Sequence, residues 1–180
     1  MTRLVLDRLD SPAGPIVLVA SGAGLVLVDF GEPEDRLWRM LERRFGDTRP
    51  EPATDPLGAT SAMRAYLAGR LDAIDGLPVD AGGTPFQRRC WAALRTIPAG
   101  TTWSYRRLAA AIGRPSAVRA VGLANGANPI GIVVPCHRVI GANNGLTGYG
   151  GGIERKEWLL RHEGVFVATG AVRQRPAPVA

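Results

Sequence analysis

Three short apolar runs open the chain. Leu4 to Leu9, Pro15 to Ala20 and Leu25 to Phe30 are rich in Val and Leu, and turn residues at Pro12–Gly14 and Gly22–Gly24 part them. Such runs between turns predict strands of a hairpin or meander. The apolar spacing then lengthens to four. Leu37, Leu41 and Phe45 predict a helix from Glu34 to Phe45, with Arg43 and Arg44 near its end. Two prolines and few apolar residues make 47–55 a loop. Ser61 to Leu71 predicts a second helix, with Met63, Tyr66, Leu67 and Leu71 on one side. Asp72 to Gly83 is the expected linker.

A second unit begins at Thr84-Pro85, where a capping hydroxyl precedes a proline suited to the first helical turn. Phe86, Cys90, Ala93 and Leu94 give this helix its apolar face. Ser104 caps a short helix with Leu108, Ala109 and Ile112 inward and Gly113 as its stop. After the turn Gly113-Arg114-Pro115, a helix is expected over Ser116 to Asn125, with Val118 and Val121 inward. Two short helices joined by a glycine-containing turn fit a helix-turn-helix. On the outer face of its second helix Ala120, Gly122, Ala124 and Gly126 are small, so the backbone can approach a groove closely. Arg119 is the one long residue in that set.

Charge strengthens this reading. Residues 1–80 hold 9 Arg and 13 acids, a net of −4; residues 81–180 hold 12 Arg, one Lys and 3 acids, a net of +10. Between Ala81 and Ile153 there is no Asp or Glu. Genomic preference for Arg over Lys does not remove acids, and a long stretch of cations alone points to a polyanionic partner, nucleic acid first. The 180 residues suffice for one large or two small domains, and 46% apolar composition is that of a globular chain. Two cysteines exclude a disulfide framework, and zinc fingers lack ligands. No apolar run has the roughly 18 residues of a membrane helix, and the N-terminus lacks a signal-peptide core, so the expected compartment is the cytoplasm.

The candidate chemistry lies at the end of Pro129 to Pro135, PIGIVVP, which reads as a buried extended segment. It delivers Cys136-His137-Arg138. Cys90, on a helical core face, reads as an inert buried thiol. Cys136 reads as reactive: an electropositive setting is expected to lower its pKa, and a Cys with a His and an acidic orienter is an activated nucleophile. Only His137 and His162 can serve as base. After residue 81 the acids are Glu154, Glu157 and Glu163. The first two suit the first turn of a final helix, Ile153 to His162. Glu163 sits at the opposite end, against the helix dipole, which suggests another use such as holding a His. Gly141 to Gly152 carries six glycines and Tyr149. It matches neither a phosphate-binding loop nor a dinucleotide fingerprint. It allows backbone to approach a flat ligand, with Tyr149 as a stacking face.

Pro135-Cys136-His137-Arg138-Val139 resembles the active-site signature of the O6-alkylguanine-DNA alkyltransferases, the methylated-DNA–protein-cysteine methyltransferases. The resemblance covers Thr84 to Val165 and, more loosely, the first unit. It includes Ser104-Tyr105, Arg119-Ala120-Val121-Gly122, Asn128-Pro129, Gly148-Tyr149-Gly150-Gly151-Gly152 and Lys156-Glu157-Trp158-Leu159-Leu160. It implies an α+β fold: a ribonuclease-H-like N-terminal domain and a winged-helix-type domain carrying the cysteine. It implies that Cys136 accepts the alkyl group, that His137 takes the thiol proton through a water, and that Glu163 orients His137. Asn128 would brace the turn before the active-site segment, and Tyr105 would press on the target phosphate and reach the base. Arg119 would enter the duplex where the damaged guanine leaves. Ser116, Ala120, Gly122 and Arg138 are expected to join Arg119 and Tyr105 at the DNA. Tyr149, Gly150, Gly151, Val139 and Lys156 are expected at the substrate pocket.

The domains expected are 1–83, a scaffold with its linker, 84–165, for DNA binding and alkyl transfer, and 166–180, a flexible tail. The implied activity is direct reversal of O6-alkylguanine, and of O4-alkylthymine, in duplex DNA. The thioether product cannot be hydrolysed, so each molecule acts once. The implied partner is double-stranded DNA, met by a monomer, with cooperative assembly left open. Zinc-bearing relatives hold the metal with N-terminal Cys and His; this chain has neither before Cys90, so no metal and no cofactor is expected. Two other readings compete: a non-catalytic damage sensor, in which the reactive cysteine would be replaced, and a Cys-His hydrolase, which would need no acid-free basic stretch.

Overall fold

The computed structural model describes residues 2–31 and 35–173, without the side chains of 35–37. The three apolar runs form β1 (Val5–Leu9), β2 (Ile16–Ser21) and β3 (Gly24–Phe30), an antiparallel meander. β2 is buried along its whole length because both faces of the sheet are covered. Val17 and Val19 face α1 (Asp35–Phe45) through Leu41 and Trp38, while Ile16, Leu18 and Ala20 face the rest of the protein. The helix expected from Glu34 is thus present from Asp35; Glu34 itself and the side chain of Leu37 lie outside the described residues. The loop expected over 47–55 contains a short strand, β4 (Glu51–Pro52), parallel to β1, so the sheet order is β3-β2-β1-β4.

The second helix, α2 (Ala59–Leu67), starts two residues before its expected position and stops four residues earlier. Leu71 packs on the core from the turns that follow. The linker is not a free tether. The Leu25 N–H donates to the Pro78 carbonyl, the Asp80 N–H to the Leu25 carbonyl, and Val79 bridges Leu25 beside β3.

In the second unit α3 (Pro85–Leu94) carries the capping box: Thr84 accepts from the Gln87 N–H and the Gln87 side chain accepts from the Thr84 N–H. β5 (Trp103–Ser104) leads into α4 (Tyr105–Ala111), and α5 (Val118–Gly126) follows. Ser116 and Ala117, expected in that helix, belong to the turn before it. The Trp91 indole N–H donates to the Ala124 carbonyl and ties α3 to α5. β6 (Val139–Ile140) pairs in parallel with β5, and α6 (Ile153–His162) follows the glycine-rich loop. The expected flexible tail begins instead as a hairpin of β7 (Val167–Ala168) and β8 (Ala171–Val172). Val165 and Val167 bury against Ile140 and Leu160, and the Leu146 and Val172 N–H groups bond this hairpin to 144–146, so residues 166–173 are held in place. Residues 174–180, with Arg175, lie outside the described residues.

One apolar core runs through both units, from Leu18, Met63 and Tyr66 to Leu94, Leu108, Val121 and Ile130. Backbone bonds join them too: the Val28 N–H donates to the Pro129 carbonyl, and the Gly131 N–H to the Val28 carbonyl. A Cβ on Gly131 would meet the Val28 carbonyl at 3.2 Å, so this close approach favours glycine. The N-terminal strand therefore seats the segment that carries Cys136.

Candidate active site

Pro129 to Pro135 is buried, as expected, but it is coiled and not extended. The Val134 N–H bonds back to the Ile130 carbonyl, and the Val133 N–H to the Gly131 carbonyl around Ile132 at φ +70°. A β-branched residue rarely adopts that backbone, and such strain costs on the order of 1–3 kcal/mol. Asn128 holds the coil from inside. Its Nδ2 donates to the Val134 carbonyl at 2.8 Å, and its Oδ1 accepts from the Ile130 N–H at 3.0 Å. Pro135 then turns the chain into a single 3-10 turn, Cys136–Arg138.

All three side chains of that turn are buried, and they do different things. The Glu163 carboxylate, at the end of α6, is the hub. Its Oε1 lies 3.0 Å from His137 Nε2 and 2.8 Å from Arg138 Nη2, and accepts from the Tyr66 hydroxyl at 2.8 Å; its Oε2 accepts from Arg138 Nε at 2.9 Å. Burial alone would push this carboxyl up, but His137 and Arg138 outweigh it and hold it well below the ordinary range. It is ionised, so His137 Nε2 carries the hydrogen. Burial pushes the imidazole pKa down against the pull of Glu163, so the ring is neutral and its Nδ1 is an acceptor. Nδ1 is buried and has no hydrogen-bond partner among the described residues. His162 has no such freedom. It stacks on Trp158, meets the Tyr66 ring edge-on, and donates from Nε2 to the Tyr66 carbonyl at 2.8 Å.

Two expectations are corrected here. Arg138, expected at the DNA, is 3% exposed and spent on Glu163 and the Ile97 carbonyl, so it is closed to a phosphate. Cys136, expected to be acidified, has its thiol pushed up by burial; the Asn128 hydrogen bond and the Lys156 charge only partly offset this, and Asp29 adds to it. The resting sulfur is a thiol, and reactivity has to come from moving its proton to a base.

Cys136 opens on a cleft shared with Asn125, Asn128, Tyr149, Gly150 and Gly151. A Cβ on Gly151 would lie 2.8 Å from the Tyr149 ring, so only glycine lets the loop pass it. Val139 and Lys156, expected at the pocket, stand behind it. Val139 pairs with Trp103 in the β5–β6 ladder, and Lys156 Nζ donates to the Val139 and Thr147 carbonyls at 2.6 and 2.8 Å. Burial brings the Lys156 pKa down to about 8. A wider hollow between α1 and β4, lined by Trp38, Glu42 and Asp47, holds neither thiol nor imidazole, so size does not mark the reactive site.

Tyr105, half-buried at the start of α4, faces α5: a Cβ on Gly122 would sit 3.9 Å from its ring. Burial raises its phenol pKa. Ser116, Arg119 and Ala120 are exposed around the start of α5, on the surface that a helix-turn-helix presents. Four further residues escaped the sequence reading. Asp29, from β3, lines the Cys136 cleft. Tyr66, read as core, reaches Glu163. Asn125 is a polar residue on the buried side of α5, a signal that its sequence position did offer. Leu123, one turn after Arg119, is 72% exposed, whereas Ala124, expected on the outer face, is 3% exposed and packs in the core.

These features define a two-domain protein that joins a ribonuclease-like sheet to a helix-turn-helix unit with a buried Cys-His-Glu cluster. The model of the 6-O-methylguanine DNA methyltransferase ribonuclease-like domain matches residues 5–81, that of the family's DNA binding domain matches 85–165, and the chain belongs to this family. It is 51% identical over 171 residues to a methylated-DNA–protein-cysteine methyltransferase of Shigella flexneri, covering 93% of this chain and 99% of that one. A protein of the same name from Salmonella typhimurium is 50% identical over 170 residues, with the same coverage. Among solved structures it is similar to the Mycobacterium tuberculosis O6-methylguanine methyltransferase, with a TM-score of 0.70, 44% identity and coverage of 89% and 92%. The DNA complex of the OGT protein from that organism gives a TM-score of 0.73 at 47% identity, covering 87% of this chain and 90% of that one.

Proposed function

We propose that this protein repairs alkylated DNA by moving the alkyl group of O6-alkylguanine, and of O4-alkylthymine, to Cys136. The observation that carries the reading is the buried, unpartnered Nδ1 of a neutral His137 whose Nε2–H is held by Glu163. That is the arrangement of a general base next to a thiol that burial keeps protonated. As the lesion enters, the thiol proton passes through a water to Nδ1 and the imidazolium is stabilised by Glu163. The sulfur forms a bond to the alkyl carbon, the carbon–O6 bond breaks, and its electron pair leaves with guanine. The thioether has no nearby group to cleave it, so the protein acts once.

The lesion's alkyl carbon is out of reach inside a stacked duplex, so the nucleotide has to be flipped out. The exposed start of α5 supports this, with Arg119 filling the vacated space, Tyr105 beside the flipped nucleotide, and Ser116, Ala120 and Gly122 at the backbone. Tyr149, Gly150 and Gly151 receive the base. Asn128 and Glu163 are positioning residues. A monomer meeting double-stranded DNA in the cytoplasm completes the reading; among the described residues no helix is long and apolar enough to cross a membrane.

The test is peptide mass mapping after mixing the protein with duplex O6-methylguanine DNA. One methyl group on Cys136 per molecule is expected. Methyl on Cys90, or demethylated guanine far in excess of protein, would overturn the single-use reading.

A further inference from the structure

The turn Tyr149-Gly150-Gly151-Gly152 walls one side of the Cys136 cleft, and three of its four residues are glycine. Glycine loses more backbone freedom on ordering than any other residue, so such a turn keeps one shape only where something outside it holds it. Within the turn the Gly152 N–H donates to the Tyr149 carbonyl at 3.0 Å. The outside hold comes from Arg155, half-buried in the first turn of α6, and from the N-terminal unit. Arg155 Nε donates to the Ala13 carbonyl at 3.1 Å, 142 residues away in the chain, and Nη1 reaches the Gly151 carbonyl at 3.4 Å. The guanidinium lies over the ring of Phe30, the last residue of β3, 5.2 Å from its centroid. A Cβ on Gly151 would stand 2.8 Å from the Tyr149 ring and 3.6 Å from the Phe30 ring, so the turn is packed between the two. The acceptor on the far side is set in advance. Ser11 Oγ accepts from the Ala13 N–H at 3.2 Å and donates to the Gly14 carbonyl at 2.5 Å, and the Gly14 N–H donates to the Ser11 carbonyl at 3.0 Å. The β1–β2 turn is thus closed on itself while it presents the Ala13 carbonyl to Arg155. A Cβ on Gly14, at φ +114°, would meet the guanidinium at 3.3 Å, so this approach is close as well.

We infer that Arg155 is a positioning residue for alkyl transfer, clamping the Tyr149–Gly152 turn to the Ala13 carbonyl and the Phe30 ring so that the N-terminal unit shapes one wall of the Cys136 cleft. The inference rests on the proposed reading of the site. The gain is preorganisation: the glycine turn is ordered when the protein folds and not when the lesion arrives, so seating the lesion costs less. The bonds to the Glu163 carboxylate come from Tyr66, His137 and Arg138, so Arg155 has no part in the proton path from the thiol. Its loss should therefore loosen the wall of the cleft and leave the sulfur chemistry as it is.

The test makes three measurements on the full-length protein and on Arg155→Met, which keeps the length of the stem without its donors. They are single-turnover methyl transfer from saturating duplex O6-methylguanine DNA, methylation of Cys136 by methyl iodide, which needs no seated base, and binding to the undamaged duplex. Transfer from the lesion is expected to slow about tenfold, the factor one hydrogen bond from a charged group commands. The methyl iodide rate and the undamaged-duplex affinity should stay within about twofold. Arg155→Lys, which keeps a charged donor, should fall between wild type and Arg155→Met. In a Phe30→Leu background, Arg155→Met should cost less than it does alone, because half of the clamp is already gone. The folded fraction is read from the amplitude and the clamp from the rate constant, so a poorly folding variant still reports. A transfer rate unchanged in Arg155→Met, even with a lowered Tm, would overturn the inference, as would fully additive losses with Phe30→Leu. An equal fall in the methyl iodide rate would place Arg155 in the chemistry, and an equal fall in undamaged-duplex affinity would make it a phosphate contact; either overturns the clamp. Wild-type protein that takes no methyl group from the lesion duplex would overturn the proposed function itself.

Discussion

Cys90 and Cys136 are both buried, and burial pushes both thiols up. Thiol acidity therefore does not separate them. What separates them is company and access. Cys90 sits on the inner face of α3 among Leu94, Leu108 and Val121. Cys136 follows a strained coil, opens on a cleft, and precedes a neutral imidazole whose Nδ1 is unpartnered. A cysteine expected to react because of nearby cations is better explained by a base that takes its proton as substrate binds. The electropositive groups are otherwise occupied: Arg138 by Glu163, Lys156 by two carbonyls.

The largest effect should come from exchanging the two sulfurs for oxygen. Cys136→Ser is expected to abolish transfer, and Cys90→Ser, whose hydroxyl in the apolar core costs stability, to leave the rate of the folded protein within a factor of about two. The measurement is methyl counting by intact mass on both variants. Residual transfer in Cys136→Ser that disappears only in the double variant would erase the difference between the sites.

Next in size is the base. Glu163→Gln should slow transfer on the order of 10²-fold, and adding His137→Ala should slow it little more, because the two act as one unit. Fully additive losses in the cycle would separate them. The same carboxyl has a pH signature. Its folded pKa is held below the ordinary 4.5, so its stabilisation is present above that value and is lost as pH falls through the folded value. Glu163→Gln should therefore be less stable than wild type at neutral pH, with the gap in urea midpoint closing as pH falls below 4.5. A gap independent of pH would mean that the loss is one of shape.

Much of this was legible in the chain. Val and Leu runs between turns predicted the meander, the Thr84-Pro85 and Ser104 caps predicted two helix starts, and a Glu set against the dipole at 163 pointed to a role in holding a His, which the family resemblance named as His137. The misses share a cause. Pro129–Pro135 is apolar and β-branched in any conformation, so periodicity could not distinguish a coil from a strand. The linker pairs at Val79 with Leu25, far away in sequence, and the short hairpin at 167–172 is held against Ile140 and residues 144–146. Arg138 looked like a phosphate ligand because it lies in a stretch without acids, while its real partner, Glu163, is 25 residues on. Asp29 and Tyr66 enter the site only through the docking of the two units.

Access gives the third prediction. Arg119 is exposed and distant from the Glu163 cluster in role, so Arg119→Ala should slow repair of a duplex lesion by roughly 1–3 kcal/mol, the part of the flipping cost that an inserted side chain offsets. Reaction with free O6-benzylguanine, which needs no flipping, should hardly change. Equal slowing of both would put Arg119 in the chemistry or the fold. Weakened binding to all DNA, with a reduced salt dependence, would make it a phosphate contact.

The smallest effect tests whether the N-terminal unit helps set the Cys136 site. Tyr66 is fully buried, and its hydroxyl is one of three donors on Glu163 Oε1. Tyr66→Phe keeps the ring and leaves the carboxylate with His137 and Arg138. Loss of one hydrogen bond to a charged group should cost about 1.5 kcal/mol, or a few degrees in Tm for a chain of this length. A packing role alone would end there. A positioning role predicts more. With one donor fewer, the Glu163 charge is less shared and attracts the His137 N–H more strongly, so the imidazole pKa should rise. Its neutral form is the base, so the fall of the transfer rate at acid pH should begin at a higher pH in the variant. Above that limb the rates should agree within about threefold. Single-turnover transfer measured across pH checks this. If the acid limb stays where it is in wild type while Tm drops, Tyr66 merely packs. If it moves to lower pH, the hydroxyl was not competing with His137 for Glu163, and the hydrogen-bond hub would have to be redrawn around Arg138.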